Sequence, residues 1–163
     1  MKTKSLLLLS LLLMFCIRIY GQHIALTVHD AAMKGLTIDH MDSTYKSAGN
    51  KDTSKAVFKT DTLQHLMYNA YVNLLKDFGK FLKENNFYWE EKTKCWNRIY
   101  FSKDGTIDYF LYNFQEQLSL GKEKEFERLL NLFIKNYQIP MTASVKFAQC
   151  SPVSYEATSD KAK

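Results

Sequence analysis

Only two prolines and six glycines stand among these 163 residues. That scarcity excludes a Pro-rich linker between domains. No internal repeat divides the chain either, so one domain is expected. Also missing are G-x-S-x-G, H-E-x-x-H, C-x-x-C, the phosphate-binding loop and the dinucleotide fingerprint. Their absence removes the catalytic and nucleotide-binding classes that announce themselves by spacing. The longest apolar run, residues 6–17, is broken only by Ser10 and Cys16 and falls short of the ~20 residues a spanning helix needs.

That run follows Lys2 and Lys4 and precedes a small residue, Gly21, before Gln22. Residues 1–21 are therefore expected to be a signal peptide, with the mature chain beginning at Gln22. Cys16 follows Met14 and Phe15, side chains too bulky for a lipidation box. Removal of the signal takes away Lys2, Lys4 and Arg18 and no acidic residue. The formal charge drops from +5 to +2, so the basicity belongs largely to targeting and nucleic-acid binding loses its support. Export also places the two remaining cysteines, Cys95 and Cys150, in an oxidising compartment, where they are expected to pair.

What is abundant is aromatic and β-branched sequence around a turn. Residues 96–114, WNRIYFSKDGTIDYFLYNF, read as two strands folded back at Lys103-Asp104-Gly105. A two-residue loop would pair Phe101 with Asp108 and Ile99 with Phe110. A three-residue loop, with Gly105 left-handed, pairs Phe101 with Ile107, Ile99 with Tyr109 and Asn97 with Leu111. The second register gathers Ile99, Phe101, Ile107, Tyr109 and Leu111 on one face and is preferred. The opposite face then carries Trp96, Arg98, Tyr100, Asp108, Phe110 and Tyr112, with Asp108 and Arg98 as a diagonal ion pair. Trp96, Tyr100, Phe110 and Tyr112 are the candidate binding residues, because an exposed aromatic patch marks an interaction surface. Ordinary packing is the commoner fate of strand aromatics.

Before the hairpin, apolar residues recur at helical spacing from Leu63 to Leu82, capped by Thr60 or Asp61. After it, Phe126, Leu129, Leu130, Phe133, Ile134 and Tyr137 mark a second helix over residues 122–137. Alternation through Met141, Ala143, Val145 and Phe147 marks a third strand. The fold expected is α+β, an antiparallel-rich sheet of three or four strands in order 2-1-3 with two main helices. Its parts are a segment without clear period at 22–61, the α-β-β-α-β domain at 62–150 and a flexible tail at 151–163. The strand order follows from a right-handed crossover. It sets the start of the first strand beside the end of the third, hence Cys95 near Cys150, although ideal alternation needs a bulge to bring the sulfurs together.

The strand–turn–strand RIYFSKDGTIDYFLYNF, the helix EKEFERLLNLFIKNYQIP and the strand TASVKFAQC together resemble the C-terminal domain of TonB-type energy transducers. The form is the compact one found in many exported bacterial proteins, and the Gly-Gln processing site suggests a Bacteroidetes type. The resemblance implies a periplasmic protein-contact module that can add a strand to a partner. Without a Pro-rich linker, an energy transducer itself is not implied. The function expected is a non-enzymatic exported protein- or peptide-binding module of the envelope, periplasmic or secreted, TonB C-terminal-like. No cofactor, metal or nucleic acid is expected, and membrane contact only through an uncleaved signal segment. Two other classes stay open. One is a small exported hydrolase using His23, His29 and His40 with Asp30, Asp39 and Asp42, whose spacing fits no metal-ligand motif. The other is an assembly subunit that oligomerises through its sheet edge. His65 and the adjacent Glu90 and Glu91 read as solvated residues.

Overall fold

The computed structural model describes residues 23–158, so the expected signal peptide, its cleavage site and Cys16 lie outside the described residues. Among the described residues the fold is α+β, with five strands in one mixed sheet and four α-helices. In chain order these are β1 (Ile24–Thr27), α1 (Val28–Met33), α2 (Ile38–Thr44), β2 (Lys46–Ser47), α3 (Asp61–Glu84), β3 (Thr93–Phe101), β4 (Ile107–Phe114), α4 (Leu120–Ile134) and β5 (Phe147–Tyr155). The sheet order is β1-β4-β3-β5-β2. β3 runs antiparallel to both β4 and β5, while the two short edge strands, β1 and β2, pair in parallel. The expectation of three or four strands and two helices is corrected here. Residues 24–47, which show no long period, supply both edges and two helices.

Hydroxyl side chains start every α-helix. Thr27, Thr37, Thr60 and Ser119 each accept a hydrogen bond from a backbone N–H in the first turn, which satisfies a donor the helix leaves unpaired. α3 and α4 cover one face of the sheet. Their stripes bury Met67, Tyr71, Leu74, Phe78 and Leu82 from α3 and Phe126, Leu129, Leu130 and Ile134 from α4. Phe126 is the centre of this core. Its ring lies 5.0–6.0 Å from those of Phe78, Phe87, Trp89, Tyr112, Phe114 and Tyr155, mostly in the tilted or edge-on contacts that aromatic quadrupoles favour. α1 and α2 cover the other face, closing Ala31, Met41 and Tyr45 over Leu26, Tyr100, Leu111 and Ala148.

The hairpin loop has three residues, but one further residue changes everything beyond it. Phe101 pairs with Ile107, and then Tyr100 pairs with Tyr109, Ile99 with Phe110 and Asn97 with Tyr112. Asp108 is thus the extra residue of a β-bulge. A single inserted residue reverses the faces of all that follows. Phe110 and Tyr112 therefore join Ile99 and Phe101 in the α3/α4 core, while Leu111 joins Tyr100 beneath α1 and α2. The expected pairs Ile99–Tyr109 and Asn97–Leu111 are corrected by this bulge. So is the Asp108–Arg98 ion pair, because Asp108 meets Lys146 at 2.8 Å and Arg98 meets Asp42.

The third strand also sits later than its alternation suggests. Residues 139–143 are held by the hairpin loop instead, with Ile139 N–H donating to the Gly105 carbonyl and Ala143 N–H to that of Lys103. β5 starts at Phe147 and continues to Tyr155, through the first part of the segment expected to be a tail. The two sheet edges differ. On β1, the Asn131 side chain of α4 accepts from Ala25 N–H at 2.9 Å and donates to the Ala25 carbonyl at 3.2 Å. One amide thereby pairs the edge as a neighbouring strand would. On β5, β2 pairs only with Phe147 and Ala148.

Gly105 ties these parts together. Its φ is +90°, and a Cβ there would stand 2.5 Å from the carbonyl oxygens of both Ile139 and Met141. Gly105→Ala is expected to cost about 3 kcal/mol from the left-handed backbone and the clash together. Its melting temperature should fall by roughly 10 °C, and thermal denaturation followed by circular dichroism checks this. An unchanged midpoint would show that residues 139–141 are free to move away from the turn.

Candidate recognition surface

The bulge separates the four aromatic candidates. Phe110 and Tyr112 are fully buried under α3 and α4, and Tyr100 is fully buried under α2. Only Trp96 remains half-exposed, on the face opposite to Phe110 and Tyr112. Cross-strand, Trp96 stands between Asn113 of β4 and Pro152 of β5. Around it Lys94, Asn113, Cys150, Pro152 and Ser154 are all exposed. α1 and α2 thus cover one half of this face and leave the other half open, with Trp96 at its centre.

Two polar networks hold the covering helices where they are. The Arg98 Nε donates to Asp42 Oδ1 at 3.1 Å and to the Tyr100 hydroxyl at 3.0 Å, and the Tyr100 hydroxyl donates to Asp42 at 3.3 Å. Asp108 is only 3 % exposed. It accepts from the Tyr45 hydroxyl and from Lys146 Nζ, both at 2.8 Å. A buried carboxylate demands such partners. Burial, reinforced by the Asp108 acceptor, drives the Tyr45 hydroxyl well above the ordinary phenol range. Burial likewise pushes Tyr100 up to about 12. These groups fasten α2 to the sheet.

Beside the open half-face lies a cleft of about 500 Å³, where β1 and β4 end and α1 and α4 begin. Asn113 belongs to both the cleft and the Trp96 face. Asp30, Glu116, Glu123 and Glu127 line the cleft against one lysine, Lys124. Three of these acids are engaged: Asp30 accepts from the Thr27 hydroxyl at 2.8 Å, Glu116 from the Lys94 N–H at 2.8 Å and Glu127 from the Tyr112 hydroxyl at 2.9 Å. Burial first, and then Glu127, Glu123 and Asp30, raise the Tyr112 hydroxyl far above its usual value. The cleft is a polar, negatively charged recess suited to a cationic group.

The histidine–aspartate region does not assemble into a centre. His23 Nδ1 lies 2.7 Å from the Ile107 carbonyl, His29 and His40 are exposed on α1 and α2, and Asp42 is held by Arg98. Among the described residues no group of three or more His, Cys, Asp or Glu side chains is placed to hold a metal ion. Among the same residues no helix is long and apolar enough to cross a membrane. Glu90 and Glu91 are exposed, with Glu90 3.2 Å from Lys122.

The expected disulfide is not formed; both thiols are free. Cys95 lies opposite Val153, and Cys150 lies opposite Arg98, three residues further along β3. Three residues of strand span about 10 Å, beyond the ~7 Å that Cα atoms of a disulfide tolerate. β5 overshoots the position expected for its end, which is why the cysteines miss. They also face opposite ways. Cys95 is 1 % exposed in the main core, its Sγ 3.2 Å from Asn97 Oδ1, whereas Cys150 is exposed. The cleft was not legible in the sequence because one of its walls comes from β1 and α1, elements of four and six residues.

No family model, curated protein or solved structure matches this chain.

Two outcomes follow from this geometry. Cys150 should react with a thiol reagent in the native protein, while Cys95 should react only after unfolding. Alkylation followed by intact mass counts one label before and two after denaturation, and zero labels would restore the bridge. The second outcome concerns alkali. Burial holds the Cys95 thiol and the Tyr71 and Tyr100 hydroxyls up to about 12, against ordinary values of 9.0 and 10.0. Above pH ~9 the unfolded chain therefore loses protons that the folded chain keeps, so stability falls as pH rises toward 12. Melting temperature against pH reads the slope, and Tyr71→Phe should flatten part of it. The Tyr71 hydroxyl lies 2.7 Å from Ser151 Oγ, so the substitution also lowers the baseline slightly.

Proposed function

We propose that this chain is an exported, non-enzymatic protein- or peptide-binding module of the bacterial envelope. One observation carries the reading: half of the sheet's second face is open, and a half-exposed tryptophan stands at its centre among exposed neighbours. Tryptophan anchors in such positions dominate interface energetics. In this reading the antiparallel β4-β3-β5 unit with α4 is the TonB C-terminal-like part, and α3 packs beside it. β1, α1, α2 and β2 are its elaboration.

The contact uses the face of the sheet rather than its edge. The Ala148 carbonyl of β5 points outward to accept from Ala48 N–H. By the two-residue alternation of a strand, the backbone groups of Cys150, Pro152 and Ser154 point outward as well. Pro152 has no N–H to offer and breaks the row in its middle, the usual guard on an edge strand. A partner therefore lies across Trp96, with the acidic cleft beyond Asn113 favouring a basic group on it.

Peptides selected by display against the mature protein are expected to carry basic residues beside an apolar anchor. Trp96→Ala should weaken a selected peptide at least about tenfold, or ~1.4 kcal/mol. Asn113→Ala, an exposed substitution, should weaken it less. Asn113→Ala should melt close to the parent, and Trp96→Ala, which removes a partly buried ring, somewhat lower but still with a cooperative transition above the binding temperature. Selected peptides that bind Trp96→Ala as tightly as the parent would overturn the reading.

A further inference from the structure

A second surface lies at the opposite margin of the sheet, away from Trp96 and the acidic cleft. Two cavities of about 370 and 320 Å³ adjoin there, sharing Val57 and Ser144. The first is walled by Leu63 at the start of α3 and by Met141 and Ala143 of the loop before β5. The second is walled by Val145 and rimmed by Lys46, Lys55 and Lys59. Leu63 and Val145 are 40 % and 42 % exposed. No acidic side chain lines either cavity.

The groove is open because its two banks are held apart by backbone bonds made elsewhere. On one bank, Ala143 N–H is committed to the Lys103 carbonyl and Ile139 N–H to that of Gly105. Residues 141–145 therefore lean toward the hairpin instead of joining the sheet. On the other, Val57 and Phe58 N–H groups donate to the carbonyls of Ser47 and Ala48. The lysine charges are little compensated. Lys46 Nζ donates to the Ser43 carbonyl at 2.9 Å and Lys59 Nζ to that of Ser54 at 2.5 Å, and a carbonyl carries no net charge. Lys55 stands 3.4 Å from Asp52, with both side chains more than half exposed, a pair that solvent screens.

We propose that this groove is a docking site for an extended peptide segment that carries acidic residues beside apolar ones. The occupant is chosen by charge complementarity: three lysines without a lining acid select carboxylates, and the Leu63–Met141 wall selects an apolar side chain next to them. An extended segment suits it, because successive side chains of a strand point to alternate sides and two adjoining recesses take neighbouring side chains of one bank. This site is separate from the Trp96 face, and neither depends on the other.

The test uses the full mature chain and three labelled peptides. One repeats Leu-Ser-Glu-Ser, so that leucine and glutamate fall in turn on one side of an extended chain, one replaces each glutamate by lysine, and one replaces each leucine by serine. The Glu/Leu peptide should bind saturably and weaken with added salt, and both counterparts should bind at least about tenfold more weakly. Lys55→Glu combined with Lys59→Glu should reduce binding by a similar factor, as should Leu63→Glu. All three positions are exposed, and melting curves establish that each variant is folded. Trp96→Ala should leave this binding intact, which separates its failure from that of the Trp96 reading. Equal binding of the lysine peptide, or indifference to the Lys55/Lys59 pair, overturns the proposal. Binding to vesicles of anionic lipid with none to the Glu/Leu peptide overturns it as well, in favour of a membrane surface.

Discussion

One inserted residue, Asp108, decides which side of the sheet every later residue of β4 faces. Its carboxylate is nearly buried and accepts from Tyr45 and Lys146, so the bulge is fixed from two directions. Without it, Phe110 and Tyr112 would face α1 and α2, and the ring cluster around Phe126 would lose Tyr112. Leu111 would leave the small core under Met41 and Tyr45. A buried charge is an expensive way to hold a strand, and it is stable here only because both partners come from separate elements. Tyr45 ends α2, and Lys146 immediately precedes β5. The same contact therefore fixes the hairpin's phase, docks the N-terminal helices and positions the start of β5.

From that phase the open surface follows. α1 and α2 are too short to cover five strands; six and seven residues span about 9–11 Å each. They seal the half of the second face nearest Asp108 and stop before Trp96. The edges are treated by different means: an asparagine amide closes β1, and a proline interrupts the outward groups of β5. A sheet protected at both edges but open on half of one face leaves the face, not the edges, as its accessible backbone-free surface, which is what the proposed face-on contact requires.

How much of this is legible in the sequence depends on element length. α3 and α4 show in their spacing because each fills a window long enough for a 3.6-residue period. The three-residue loop shows in Asp-Gly. β1 and α2 show only as open readings, a short strand within residues 23–30 and one or two helical turns within 36–48, and β2 and α1 do not show, since two to seven residues carry too little pattern to separate strand from helix. The bulge is silent because nothing local marks Asp108; its partners are 38 and 63 residues away. The alternation of residues 141–147 is real, but those residues up to 143 answer to the hairpin loop and Gly105. Pro152 lowers the strand signal where β5 in fact runs. That displacement, together with the opposite facing of the two thiols, undoes the disulfide, while the bulge and α2 leave Trp96 as the one aromatic candidate still partly at the surface.

The overall charge of the chain conceals a strong local separation. Asp30, Glu116, Glu123 and Glu127 gather at the ends of β1 and β4, while Lys46, Lys55 and Lys59 gather across the sheet beside β2. β1 and β2 are the two outermost strands, so the charges lie at opposite margins. Strands in a sheet are about 4.8 Å apart, so the four spacings between β1 and β2 put the two clusters roughly 20 Å apart. That exceeds a Debye length of ~8 Å at physiological ionic strength. Each cluster consequently presents its own field to a partner, undiminished by the other. Net charge averages these two clusters away, whereas a partner at either margin would meet the local sign alone.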